Sequence, residues 1–493
     1  MFIVINYIVK SNIYGTVTHK IYIRPMSVSL RAKMENVKNI KDIDIESKSK
    51  LKRSVGFADI FFMSFGGQAP FLSMLTYATA ALILTLFFSP IVLIIGTLVV
   101  LINGAGVYYL SRKHDEEGGY FNYAYKALSH RFGFETGWLY LFYSLLYAGG
   151  YITGSIFVLT YVVPPYIVIP PLVAFLIVFI PTASFLLLGI RPSSKYAVFS
   201  ASLELIVLVG VIAAGFYGAH FLVYNPFTSI PSPAIIFLGI LFAIGIPTGY
   251  GAITPVSGEV KNAKRNVGKA AILVIIIGGT LEALVLYSLV DYGIATHSFS
   301  ALVSSNVPVI TIMDRIAGPI ALPLLLFAAI NDGILGSLAF LTAFSRNLYA
   351  MSERGVISKA LSTLHSKRGT PVIAGIITLI AAAVILVPTL VFVNSFVIFL
   401  ALGSIAGLGN LMVHLTANFS LFKENLVRAQ RRIREFGIGI LGIIVSGFVF
   451  IYSLLTSDTY MIELVLGFII LGFIILEMLD AHQYVKTHTE VNQ

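Results

Sequence analysis

Three acidic side chains, Glu204, Glu282 and Asp332, stand inside long apolar runs of this chain. An ionisable residue at the middle of a membrane helix costs about 2.5 to 3.5 kcal/mol on insertion scales, so each is a functional candidate. Burial near an apolar midplane disfavours the charged form of a carboxyl, which suits it to take up and release a proton near working pH. The competing reading is a structural carboxyl paired with a neighbouring helix or backbone. His414, a lone imidazole in another apolar run, reads as a hydrogen-bonded core residue rather than a ligand.

Two of the runs are interrupted. One carries Gly66-Gly67-Gln68-Ala69-Pro70 and the other Gly245-Ile246-Pro247-Thr248-Gly249-Tyr250-Gly251. Glycine and proline there take away helical hydrogen bonding. N–H groups freed at the start of an outer half-helix favour a carboxylate, and C=O groups freed at the end of an inner half-helix favour an amine, so the pair suits a zwitterion. Gly66, Gly67, Gln68, Gly245, Ile246, Thr248, Gly249 and Tyr250 are therefore the candidate substrate-binding residues. Either interruption alone reads equally well as a kink or a close helix contact. Their corresponding positions in two halves of the chain favour a site near the membrane midplane.

The surrounding elements are membrane spans. The chain has 57% apolar and 11% charged residues with a mean hydropathy of +0.90, and lipid is the main solvent of such a sequence. Of the 33 Lys and Arg residues, 32 fall at alternate gaps between the apolar runs, Arg315 being the exception. Basic residues near span ends stay cytoplasmic, so the alternation predicts twelve crossings with both ends inside. The runs cover 55–84, 88–112, 134–163, 166–190, 194–222 and 233–258, then 266–294, 318–352, 371–390, 392–421, 436–456 and 460–481. The predicted fold is an all-α polytopic membrane protein. Spans 1 to 5 (about 55–222) and 6 to 10 (about 233–421) form inverted halves, and two helices (about 436–481) follow. A cytoplasmic arm is expected over 1–53 and a cytoplasmic tail over 482–493. The polar, aromatic stretch from Tyr120 to His130 suits the inner interface, and Trp138, the one tryptophan, reads as an interface anchor.

Four segments resemble the amino acid, polyamine and organocation permease superfamily. They are Gly258 to Ala270 after span 6, Ser345 to Gly355 with the later Thr370-Pro371 after span 8, Gly118 to Tyr123 between spans 2 and 3, and Gly189 to Ala197 at the start of span 5. The resemblance runs from about residue 53 to about residue 480 and implies a leucine-transporter fold. It puts Glu204 where some proton-coupled members carry a titratable lysine. Gly245 stands where many members have a bulky gating aromatic, so Tyr250 or Phe242 is the substitute gate, or the pocket is enlarged.

The sequence thus predicts a secondary transporter for an amino acid or related amine, proton-coupled or exchanging, in the cytoplasmic membrane. Its partners are a small-molecule substrate and membrane lipid, with a homodimer left open. The net charge of +10 sits in short loops facing the anionic inner leaflet, which excludes nucleic acid as a partner. No cofactor or metal is expected; the absence of cysteine removes thiolate ligands, and span 8 offers the separated Ser337 and Thr342 in place of the adjacent hydroxyls of resembling sodium-coupled transporters, which disfavours sodium while Asp332 and backbone carbonyls leave it open. A membrane-embedded enzyme would need nucleophile, base or ligands at one depth and has no such motif. A transporter-like sensor would bring a signalling domain beyond the short stretch after Asp480.

Overall fold

The computed structural model describes residues 51–162, 168–304, 308–427 and 432–491, and every regular element among them is helical. The expected arm up to residue 50 and the outer loop at 163–166 lie outside the described residues.

Span 1 is built from α1 (Phe57–Gly66), α2 (Pro70–Ser73), a π turn (Met74–Ala78) and α3 (Thr79–Thr85). Span 2 is α4 (Ser89–Ser111), followed by the short α5 (Tyr120–Ala127). Spans 3 to 5 are α6 (His130–Val162), α7 (Pro171–Leu188) and α8 (Ile190–Gly218). Span 6 is α9 (Pro233–Ala243) continued by a 3-10 stretch (Ile246–Ala252), and span 7 is α10 (Ala263–Ala295). Two short helices, α11 (Phe299–Val303) and α12 (Pro308–Ala317), lead into span 8, α13 (Ala321–Glu353). Spans 9 to 12 are α14 (Val372–Phe392), α15 (Ser395–Val427), α16 (Ile433–Thr456) and α17 (Thr459–Val491).

In lipid the backbone must satisfy its own hydrogen bonds, which is why nearly continuous apolar sequence becomes helix. Eleven helical stretches among the described residues are long and apolar enough to cross a membrane. The first, Phe57–Ser111, has 55 residues, enough for two crossings of about 20 each. It turns at Leu86, whose φ of 49° ends α3, and so contains both predicted spans 1 and 2. Spans 3 and 8 are the interior pair, 83% buried across their apolar windows, whereas span 12 is 17% buried and faces outward.

α5 is not laid open along an interface: Tyr120 to Ala124 are buried, and Gly118 N–H donates to Pro255 O at 3.0 Å beneath span 6. Trp138 stacks on Phe468 of span 12 at 4.5 Å and donates to its carbonyl at 2.9 Å.

Candidate functional site

α1 begins where Asp59 Oδ2 accepts the Gly56 N–H at 2.7 Å, and it ends at Gly66. The chain then passes through Ala69 at φ 45°, ψ 64°, a left-handed conformation costing on the order of 1 kcal/mol without glycine. Pro70 restarts the helix as its first residue and offers no N–H. The next two donors are taken by carboxyls from other spans. Glu204 Oε1 accepts the Phe71 N–H at 3.3 Å, and Asp332 Oδ2 accepts the Leu72 N–H at 2.8 Å. The two side chains also interact with each other, and among the described residues Glu204 Oε2 and Asp332 Oδ1 receive no donor. Beside them, Asn331 Oδ1 accepts the Tyr196 hydroxyl at 3.0 Å and the Ser200 hydroxyl. Glu282 on span 7 is fully buried and lies close enough to feel the charge on Asp332, with neither of its oxygens meeting a donor among the described residues.

The interruptions of spans 1 and 6 pack directly on each other. A Cβ on Gly249 would stand 2.1 Å from Ser64 O and 2.5 Å from Gln68 N, so this crossing needs glycine. Gly66 and Gly67 turn towards Leu335 and Ala339 of span 8. Gln68 reaches span 7, where its Nε2 donates to Val274 O at 3.1 Å and its side chain fills the space over Gly278. In span 6 the helix is lost at Pro247, whose ψ is 43°.

A cavity of about 300 Å³ opens beside Gly245 of span 6. Gly245, Thr248 and Tyr250 line it, while Gly66, Gly67, Gln68, Ile246 and Gly249 do not, and the three carboxyls lie off it. Its wall includes Tyr77, Tyr147, Asn410 and His414, of which only His414 stood out in the sequence. Tyr77 and Tyr147 carry no distinguishing signal in a chain with 25 tyrosines; Asn410, an amide inside an apolar run, does. His414 Nε2 and the Tyr250 hydroxyl are 2.9 Å apart, which ties span 6 to span 10. Phe242 also lines the cavity, so both proposed substitutes for the missing gate are present beside Gly245. The space reaches Ser457 and Asp458 at the turn between spans 11 and 12.

The opposite end is closed by polar contacts. Val55 and Val260 form a bridge in parallel register, with Lys261 N–H donating to Val55 O at 2.8 Å. Arg346, 1% exposed, holds Glu259 through two bonds of 2.8 and 3.1 Å and donates to Thr370 Oγ1 at 3.2 Å. Two of the four segments that resemble the permease superfamily, the one after span 6 and the one after span 8, meet in this cluster. Arg354 joins Glu116 at 2.6 Å nearby, and burial pushes the Tyr123 hydroxyl pKa up, with the charge of Asp115 adding to it.

Eleven apolar helical stretches among the described residues, the first long enough for two crossings, with two broken spans packed against each other, make this a polytopic membrane protein. The family described as amino acid permease matches residues 59–486, and the chain belongs to it. No curated protein matches the chain. The family is one of membrane transporters rather than enzymes, with a small-molecule substrate and a lipid environment.

Proposed function

We propose that this chain is a secondary active permease that moves an amino acid or closely related amine across the cytoplasmic membrane by alternating access, with protons coupled through Glu204 and Asp332. The observation that carries this reading is that the two carboxyls cap consecutive amides, Phe71 and Leu72, at the restart of span 1. Two carboxylates in contact do not both stay ionised in a buried site, and one shared proton would satisfy the oxygens that lack donors. Taking up or losing that proton changes how strongly spans 5 and 8 hold span 1. Glu282 is a further buried carboxyl at the edge of the same group.

The substrate side chain is assigned to the cavity beside Gly245. Apart from Asp458 at its far end the lining has no acidic, lysine or arginine side chain, which favours an uncharged side chain over a cationic or anionic one. With the basic loops cytoplasmic, the cavity leads outward and the Glu259–Arg346 cluster closes the inner end, an arrangement that supports an outward-leaning state. The test is counterflow in proteoliposomes loaded with one labelled amino acid class at a time. Uncharged classes should exchange, and exchange confined to diamines or to acidic amino acids would reject the assignment.

A further inference from the structure

Away from the substrate cavity, an open recess of about 720 Å³ lies between the inner ends of spans 2 and 11, bounded by Tyr108, Tyr109, Arg112 and Lys113 on one side and Arg432 to Glu435 on the other. Its lining holds Arg112, Lys113, Arg432 and Arg434 against one acid, Glu435. Part of that charge is already answered. Lys113 Nζ lies 2.6 Å from Glu435 and 3.2 Å from Glu424, and Arg432 lies 3.0 Å from Glu435. His114 Nε2 takes the other Glu424 oxygen at 2.5 Å. Arg112 is engaged by the phenol of Tyr108, through a 3.1 Å hydrogen bond and a ring contact at 5.5 Å. Among the described residues, neither Arg112 nor Arg434 faces an acid in the lining other than Glu435, which Lys113 and Arg432 hold. The recess therefore carries a surplus of positive charge.

A second, independent feature points to the form of the ligand. On span 11, Leu441, Ile444, Phe448, Ile451 and Leu455 are 42 to 80% exposed and recur at helical spacing, forming an apolar stripe directed at the lipid. Arg434 lies two helical turns below Leu441 on that same face, and Ile433 beside it is 78% exposed. A basic, phenol-edged recess at the foot of an exposed apolar stripe complements a molecule with an anionic head and a hydrocarbon tail.

We infer that the recess between spans 2 and 11 binds the phosphate headgroup of an anionic phospholipid of the inner leaflet, with an acyl chain along span 11. The assignment to the inner leaflet rests on the proposed orientation; the binding itself does not. The test uses the full chain purified in mild detergent and titrated with phosphatidylglycerol or phosphatidylcholine of identical acyl chains, with bound lipid read by native mass spectrometry and stability by thermal unfolding. Phosphatidylglycerol should be retained preferentially. Arg112→Gln combined with Arg434→Gln should weaken that retention by roughly 30-fold, as expected for two surface charges. Arg265→Gln, an exposed arginine in another basic loop, should leave it unchanged. Equal retention of the two lipids, an unchanged double variant, or an equal loss in the Arg265 variant would overturn the site. Equal stabilisation by glycerol 3-phosphate alone would overturn the lipid as its ligand. Substrate counterflow is not read in any arm, so failure here is separable from failure of the transport reading.

Discussion

Glu204 on span 5 and Asp332 on span 8 meet at the restart of span 1, where they accept the Phe71 and Leu72 amides at 3.3 and 2.8 Å and contact each other. Three spans are thereby joined through one pair of acidic side chains. A buried pair of this kind is sensitive to proton occupancy, because two adjacent carboxylates repel while a carboxyl–carboxylate pair shares a hydrogen bond. On the proposed reading this contact converts a proton into a change in the packing of span 1 against spans 5 and 8.

Gly249→Ala tests the packing of the two interruptions. Its Cβ would stand 2.1 Å from Ser64 O, so spans 1 and 6 must separate, with an expected loss of about 1 to 3 kcal/mol of stability or more and of counterflow with it. Gly467→Ala in span 12, where an added Cβ would meet nothing within 4 Å, should be tolerated. Thermal unfolding and counterflow of both variants provide the check, and a normal Gly249→Ala protein would show that the tight crossing is dispensable.

Gly245→Phe should fill the cavity beside Tyr77, since the added Cβ alone already lies 3.4 Å from that ring. Counterflow of large amino acids should fall at least tenfold while alanine or glycine still exchanges. An unchanged size profile would remove this cavity as the side-chain site.

The buried Arg346–Glu259 pair predicts an asymmetric mutational response. Removing the cation in Arg346→Met leaves an uncompensated carboxylate and should cost about 3 to 5 kcal/mol, whereas Arg346→Met with Glu259→Leu should recover much of it. Unfolding midpoints of the single and double variants measure this directly. If the double variant restores stability but not transport, the pair serves the conformational change as well as the fold.

The spans were legible because charge and hydropathy report lipid exposure residue by residue; Pro233 opens span 6 and Thr456 closes span 11 where the sequence predicts. The interruptions were legible as composition, but their geometry was not. The left-handed residue is Ala69 rather than either preceding glycine, because Pro70 fixes the restart of the helix and its missing N–H shifts the free donors to Phe71 and Leu72. The sequence predicts that freed amides would await a substrate carboxylate; here the chain caps those two with its own. Nothing local to Glu204 or Asp332 announces that they meet, since their proximity depends on how spans 1, 5 and 8 pack. Gly249 likewise discloses its role only through Ser64 and Gln68, far away in sequence.

For orientation, cysteines introduced into this cysteine-free chain at Ser366 and Ser229, both exposed, should report opposite sides. An impermeant thiol reagent added to intact cells should label Ser229→Cys and spare Ser366→Cys until the membrane is opened. The reverse pattern would invert the topology and move the lipid recess to the outer leaflet.

Glu204→Gln tests the central claim most directly, because the amide keeps an oxygen for the Phe71 N–H but cannot exchange a proton. At matched amounts of folded protein in proteoliposomes, counterflow and pH-gradient-driven uptake should be measured side by side. The account predicts that exchange persists while accumulation driven by the pH gradient is lost. Normal pH-driven accumulation by Glu204→Gln would contradict it.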